Sequence, residues 1–395
     1  MSVWKETKLG NLGRVVTGKT PSKDNPEDWG TEVLFVTPSD YKNYGKFANS
    51  SIRMLSNVGA KRQGNRLLPK GSILVTCIGS DMGKTAINSE PCVTNQQINA
   101  IIPDNAKANS DFIYYLTKDL YETLSSLGSD GTAVPILNKS DFENIDISIP
   151  ALEEQKAIAS VLSSLDDKID LLHRQNTTLE RMAETLFRQW FVEEAQEDWE
   201  EYKFKEIVQH VKPGTNYQPK RLESGIPFLN VRNLKDGFLD LSDVTYISVD
   251  EYQRVHKVWK PEENDVLISR IGTLGIVAVI SKRDLPVAVH YNMINTKAKL
   301  TSYQFLYFLL KSQYFQELYS SQIRQSVQEY VAIEDIENLD IKLPLMKHNF
   351  KERELVFNDL YQKLAANEAQ KRTLEKLRDN LLPKLISGEI RMQNG

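Results

Sequence analysis

A chain of 395 residues with 41% hydrophobic and 26% charged side chains has material for two or three ordinary cores, which excludes wholesale disorder. Its 49 basic and 53 acidic residues leave a net charge of −4, which excludes nucleic-acid binding by bulk positive charge but not by local basic surfaces. Cys77 and Cys92 are too few for a disulfide framework or a four-thiolate zinc site, no apolar run nears the ~18 residues a membrane span needs, and the start of the chain has no signal-peptide pattern, so a cytoplasmic protein is expected.

In chain order, residues 33–36 and 73–78 are short β-rich runs among Gly, Pro, Asn and Asp. Residues 111–127 read as a helix with an aromatic apolar face. After Pro150 comes a long helical pattern with no Gly or Pro from 151 to 190. Ile158, Leu162, Leu165, Ile169, Leu172, Asn176, Leu179, Ala183, Leu186 and Trp190 step alternately by four and three. That is a coiled-coil seam on a helix roughly 55–60 Å long. Asn176 is its one polar member and is expected to fix register.

From Trp199 the order begins again. Trp4-Lys5-Glu6 is echoed by Trp199-Glu200-Glu201, Ile78-Gly79 by Ile271-Gly272, and Phe112-Ile113-Tyr114-Tyr115-Leu116 by Phe305-Leu306-Tyr307-Phe308-Leu309. Ile145-Asp146-Ile147-Ser148-Ile149-Pro150 is echoed by Leu339-Asp340-Ile341-Lys342-Leu343-Pro344. A repeat of about 195 residues is too long for a solenoid unit and reads as duplication of a whole domain and its linker. Residues 266–271 and 276–280 are β-rich, 302–320 helical. A second long helix carries Phe357, Leu360, Leu364, Asn367, Leu374, Leu377 and Leu381, with Pro383 and Gly388 expected at its end. The boundaries are therefore 1–150, 151–196, 197–344 and 345–395. Residues 151–198 carry a net charge of −6 and residues 345–395 one of +3, so the two helices suit pairing in either direction.

Motifs for catalysis are absent. Gly79-Ser80-Asp81-Met82-Gly83-Lys84-Thr85 has three residues between its glycines where a phosphate loop has four, and reads as a turn between strands. No histidine has metal-ligand spacing and no serine or cysteine carries a nucleophile signature. The acidic pair Asp166-Asp167 reads as surface charge.

What is present twice is a set of polar, basic and aromatic loops. The first copy offers Lys19, Thr20, Lys23, Ser39, Tyr41, Lys61, Arg62, Arg66 and Lys84. The second offers Lys212, Tyr217, Lys220, Arg221, Asn230, Arg232, Asn233, Arg270, His290, Asn292, Arg324 and Gln325. Arg, Asn and Gln can pair with guanine and adenine edges, while Lys, Ser and Thr suit phosphates. Loops that differ on a shared scaffold fit two readers of different DNA sequences. The same layout is open to a coiled-coil scaffold whose end domains bind proteins.

Four stretches carry a family resemblance. Residues 149–159, Ile-Pro-Ala-Leu-Glu-Glu-Gln-Lys-Ala-Ile-Ala, resemble the start of the central helix of type I restriction-modification specificity subunits. Residues 374–390, ending Leu382-Pro383-Lys384-Leu385-Ile386-Ser387-Gly388-Glu389-Ile390, resemble that family's C-terminal signature. Gly18-Lys19-Thr20-Pro21-Ser22 and Asn95-Gln96-Gln97-Ile98-Asn99 resemble parts of one common target-recognition domain. Pro213-Gly214-Thr215-Asn216 departs from the first of these. The resemblance covers essentially the whole chain. It implies two mixed α/β target-recognition domains, separated by two long helices in an antiparallel coiled coil with pseudo-twofold symmetry. The seam would use Leu162, Leu165, Ile169, Leu172, Asn176, Leu179, Leu360, Leu364, Leu374 and Leu381. It further implies a non-catalytic chain on double-stranded DNA, with two modification and two restriction subunits as partners. Those partners, not this chain, would hold S-adenosylmethionine, ATP and magnesium. The specificity subunit of a related two-subunit restriction enzyme would look the same.

Overall fold

A computed structural model describes residues 4–22, 24–127, 136–325 and 328–392. Lys23 of the first recognition loop lies outside the described residues. The chain divides into two compact units, Met1–His173 with Glu368–Gly395, and Arg174–Asn367. Each long helix gives one half to each unit: Ile158 and Leu162 of the first helix and Leu382 and Leu385 of the second lie in the core of the first unit, while Phe187 of the first and Phe357 of the second lie in the core of the second.

In the first unit a five-stranded sheet runs in the order Gly13–Thr17, Ile98–Pro103, Ile73–Thr76, Thr85–Asn88, Phe47–Ala48. The register sets Ala100 opposite Val16 on one side and Leu74 on the other. A second sheet contains Val33–Val36 paired in parallel with Cys92–Thr94, so that Val36 and Thr94 end side by side. The strands are β-branched runs whose side chains leave both faces dry, as a strand buried on two sides requires. The aromatic helix Ser110–Asp119, capped by Asn109, buries Phe112 and Tyr115 under the first sheet.

The second unit repeats this plan. Strands Val208–Pro213, Met293–Ala298, Val266–Ser269 and Val277–Val279 form the first sheet, and Ile226–Leu229 pairs in parallel with Ala288–Val289 in the second. Its aromatic helix, Tyr303–Lys311, is capped by Ser302. The copies agree in small devices. Thr37 and Asp40 close a capping box after the strand in one unit, and Asn230 and Asn233 close it in the other. Ser56 caps the short helix Asn57–Arg62, and Ser248 caps Val249–Val255.

The long helices span Leu152–Arg188 and His348–Ile386. The first ends in a wider π turn, Gln189–Glu193, that buries Phe191. In the first unit Ile158 and Leu162 pack with Leu382 and Leu385. Ion pairs join Glu154 to Arg391 and Asp166 to Arg378, so the two helix segments run antiparallel. Asp166 is thus no surface charge. Its side chain is 10% exposed, and it also accepts a 2.7 Å hydrogen bond from the Tyr115 hydroxyl. In the second unit the segments are again antiparallel: Asn367 Nδ2 donates to Asn176 Oδ1 at 2.9 Å, and Arg353 donates to the Trp190 carbonyl.

The seam departs from its predicted stripe. Leu162, Leu172 and Leu364 are buried; Leu165, Ile169, Leu179, Leu360, Leu374 and Leu381 are half-buried; Leu377 is exposed. Phe187 and Phe191, outside the stripe, are fully buried among Phe305, Phe350 and Phe357. The helix faces a globular core as well as its partner, so its dry side is wider than a coiled-coil seam. Pro383 does not end the second helix. The last turn, with no N–H at 383, is held by burial of Leu382, Leu385 and Ile386, and the stop comes at Gly388, whose φ of 76° admits no ordinary side chain.

Candidate nucleic-acid interface

In each unit one end of the sheets gathers chemically mixed loops. In the first unit the strands Gly13–Thr17, Val33–Val36 and Cys92–Thr94 all run toward this end. Gly18 is packed so close to the Thr94 and Asn95 carbonyls that a Cβ would sit 2.2 Å from them, which lets the two loops touch. Lys19 N–H donates to the Thr94 carbonyl at 2.9 Å, leaving the ammonium exposed. The Thr20 hydroxyl donates to Gln96 Oε1 at 2.9 Å. Ser39 Oγ lies 2.8 Å from Thr37 Oγ1, beside the strand end. Cys77 N–H binds the Gln97 carbonyl, so the turn Gly79–Asp81 and Lys84 belong to the same end. That turn is a 3-10 turn between strands, with Lys84 paired to Asp81, and not a phosphate loop.

Other candidates of the first unit are elsewhere. Tyr41 is a core residue whose hydroxyl donates to the Leu74 carbonyl at 3.0 Å. Burial commits both the ring and its polar tip, so Tyr41 is not the surface contact expected from its loop. Lys61, Arg62 and Arg66 lie at the opposite end. Arg14, near the start of its strand, donates to the Asn65 carbonyl, and three residues of that strand separate it from Thr17 by about 10 Å. Lys61 is exposed and Arg66 half-buried. Arg62 is bonded to Glu27 and Asp28, which hold its guanidinium charged more firmly than usual, while Arg62 holds the Glu27 carboxyl below its ordinary range.

The second unit assembles the same end from more cationic and aromatic groups. Gly214 repeats the close approach, here to the Val289 and His290 carbonyls. Thr215 N–H bonds Val289, and Tyr291 N–H bonds back to Thr215. Arg221 stacks on Phe228 at 4.3 Å and donates to Thr245 Oγ1 at 2.6 Å. His290 meets the edge of Phe228 at 5.7 Å and lies 4.4 Å from the Tyr291 ring. Burial chiefly, and Arg221 beside it, lower the His290 pKa, so the ring is neutral at pH 7. Burial and the nearby Arg232 likewise ease the proton on Arg221. Arg232 is exposed, 3.3 Å from Asp243. Lys212 and Asn230 are half-buried at the strand ends and Lys220 is exposed. Asn292 keeps a buried Oδ1 without a hydrogen-bond partner among the described residues. Tyr217 carries Arg254 over its ring at 4.3 Å and accepts from it at 2.9 Å. Arg324 pairs with Asp335, and Gln325 is exposed beside it.

Two candidates of this unit are structural. Asn233 is 2% exposed; it accepts from Asn230 N–H and donates to the Asp240 and Asp243 carbonyls. It does the work of Asp40 in the first copy. Arg270 is half-buried and donates to the Tyr291 and Val331 carbonyls, a cross-tie between backbone segments. Gln96, Thr215 and Arg254 do not stand out by loop chemistry alone. Gln96 follows the paired end of Cys92–Thr94 as Tyr291 follows that of Ala288–Val289, so aligning the two copies by strand exposes it.

Among the described residues no group of three or more His, Cys, Asp or Glu could hold a metal ion, and no helix is long and apolar enough to cross a membrane.

The family described as the type I restriction modification DNA specificity domain matches the chain twice, over residues 1–181 and 196–376. The type I restriction enzyme MjaIX specificity subunit of Methanocaldococcus jannaschii is 30% identical over 99% of this chain and 94% of its own length. The HindI specificity subunit of Haemophilus influenzae is 36% identical over 42% of this chain and 37% of its own length. Among solved structures, the type I restriction-modification S subunit from M. genitalium shares the fold with a TM-score of 0.57, at 18% identity, over 98% of this chain and 96% of that one.

Proposed function

The chain belongs to the type I restriction-modification DNA specificity family, and we propose from that premise that each unit reads one half of a two-part DNA site. In this reading the first unit addresses DNA with the end that carries Lys19, Thr20, Ser39 and Gln96. The second does so with the end that carries Tyr217, Arg221, Arg232, His290 and Asn292. Amide and guanidinium groups can pair with base edges, and ammonium and hydroxyl groups with phosphates. The chain supplies the address. Modification subunits, docked on the helices and recognition domains, would carry S-adenosylmethionine and methylate an adenine flipped from the stack. Restriction subunits would join them and use ATP and magnesium for cleavage.

The single observation that carries this reading is the duplication itself. Two units share strand order, capping boxes and the glycine approach, yet fill the same end with different side chains. A scaffold kept twice with its reading groups changed suits two different half-sites. Base-resolution mapping of methylated adenine in cells that hold this chain and its modification partner tests it. The expected result is a motif in two parts with a fixed gap, absent when this chain is omitted. An active partner complex that yields no such motif overturns the proposal.

A further inference from the structure

The short helices Asn57–Arg62 and Val249–Val255 occupy equivalent places, each capped by a serine and each entered from a strand of the second sheet. The capping serines, Ser56 and Ser248, are 192 positions apart, and so are Arg62 and Arg254 near the helix ends. Both arginines turn onto the loop that leaves the first strand. Arg62 Nη1 reaches Glu27 Oε1 at 2.7 Å and Asp28 Oδ1 at 2.8 Å. The Asp28 side chain is only 4% exposed. Ser56 N–H bonds the Asp28 carbonyl at 2.9 Å, and Gly59 lies so close that a Cβ would stand 2.1 Å from that carbonyl. Arg254 lies over the Tyr217 ring and donates to its hydroxyl. Tyr217 follows Gly214 by three residues, whereas Glu27 and Asp28 lie nine and ten residues after Gly18, so the two arginines grip the same loop at different points.

One helix position therefore holds one loop in both copies, by an ion pair with a buried carboxylate in the first and by stacking in the second. Chemistry and point of contact differ, while the helix position that reaches the loop does not, which marks the hold on the loop as the shared requirement. We propose that Arg62 and Arg254 are positioning residues that fix the loops following Gly18 and Gly214, and that neither contacts DNA itself. This rests on the two-half-site reading above. It also separates Arg62 from Lys19 and Thr20, whose end of the unit it does not share.

A phosphate contact and a loop clamp differ in what they do to salt dependence. Neutralising a phosphate-bound arginine lowers the slope of log affinity against log salt by about 0.9, while releasing a clamp leaves the slope unchanged. The test uses the complex of this chain with its modification partner, and the variants Arg62→Met, Arg62→Lys and Arg254→Met. For Arg62→Met the expected outcome is at least a tenfold loss of discrimination against base changes in one half-site, with the other half and the salt slope as in the parent. Arg62→Lys, which still reaches one carboxylate, restores part of that loss. Arg254→Met relaxes the other half only. A slope reduced by about one with both halves still discriminated, or no change in either readout, overturns the assignment. Equal loss of both halves, with the Lys variant failing to rescue, also overturns it, since that is global damage. Wild-type complex that directs no two-part motif removes the reading itself, and the assignment falls with it.

Discussion

The two units meet the long helices through different chemistry at the same task. In the first, a mostly desolvated ion pair, Asp166–Arg378, is joined by Tyr115 and flanked by the aliphatic contacts of Ile158, Leu162, Leu382 and Leu385. In the second, aromatic area is larger: Phe187, Phe191, Phe305, Phe350 and Phe357 meet mostly edge to face. Glu180 accepts from Tyr307 as Asp166 does from Tyr115, but its cation, Lys311, comes from the aromatic helix, and the two long helices are joined by a neutral amide pair, Asn176–Asn367. Directional polar contacts and apolar area thus share the docking of a recognition domain in different proportions, and they fail differently. Apolar area is lost in proportion to the atoms removed, whereas a buried charge left alone costs its full desolvation.

The comparison is broken most severely at Phe357. Phe357→Ala removes a fully buried ring, a loss of about 3–5 kcal/mol. Amide hydrogen exchange of the full chain is expected to show faster global opening in the second unit with the first unit protected as before; equal loss in both would contradict the separate cores.

Arg378→Met is expected to cost about 3 kcal/mol, because Asp166 stays buried without its cation. The partner variant Asp166→Leu, combined with it, recovers most of that loss. Denaturant titration of single and double variants reads the coupling, and additive effects would show that the pair is not a unit.

A third contrast is in acid. His256, 1% exposed, accepts from Val289 N–H at Nε2 and contacts the Trp259 carbonyl through Nδ1, so the fold needs it neutral. Burial pushes its pKa down to about 4 from 6.5. The unfolded chain takes up a proton near 6.5 and the folded one does not until about 4. Stability is therefore complete above pH 6.5 and falls between 6.5 and 4, by up to about 3 kcal/mol. Thermal melts across that window should show the second unit losing stability, and His256→Gln should flatten that part of the curve.

The smallest effect is expected at the amide pair. Asn176→Leu leaves Asn367 buried with an unmet donor, at about 1–3 kcal/mol, and the double change to leucine recovers it. If the pair fixes register, the double variant keeps its stability and alters the gap of the methylated motif. An unchanged gap would reduce Asn176 to a packing role.

Much of the fold was legible because duplication repeats each signal. Both long helices, the aromatic helices after Asn109 and Ser302, and the paired strand runs follow from apolar periodicity and its recurrence. Less legible was which side of the helices is dry. Phe187 and Phe191 pack on the domain as well as on the second helix, and a seam pattern looks for partners of one kind only. Pro383 misled for the same reason, since burial of the residues around it outweighs one missing hydrogen bond. For the interface, composition could find polar loops but could not tell a side chain turned outward from one spent inside. Tyr41, Asn233 and Arg270 have the right chemistry and the wrong orientation. Arg62 has an exposed charge and a carboxylate partner 35 residues away in sequence, which only the folded loop brings to it.

The central claim is that each unit addresses its own half of one DNA site, and methylation mapping with one change at each reading end tests it most directly. Gln96→Ala in the first unit and Arg221→Ala in the second should each alter the base preference of a different half of the motif and leave the gap and the other half intact. A change that shifts both halves together, or two changes that fall on the same half, would contradict it.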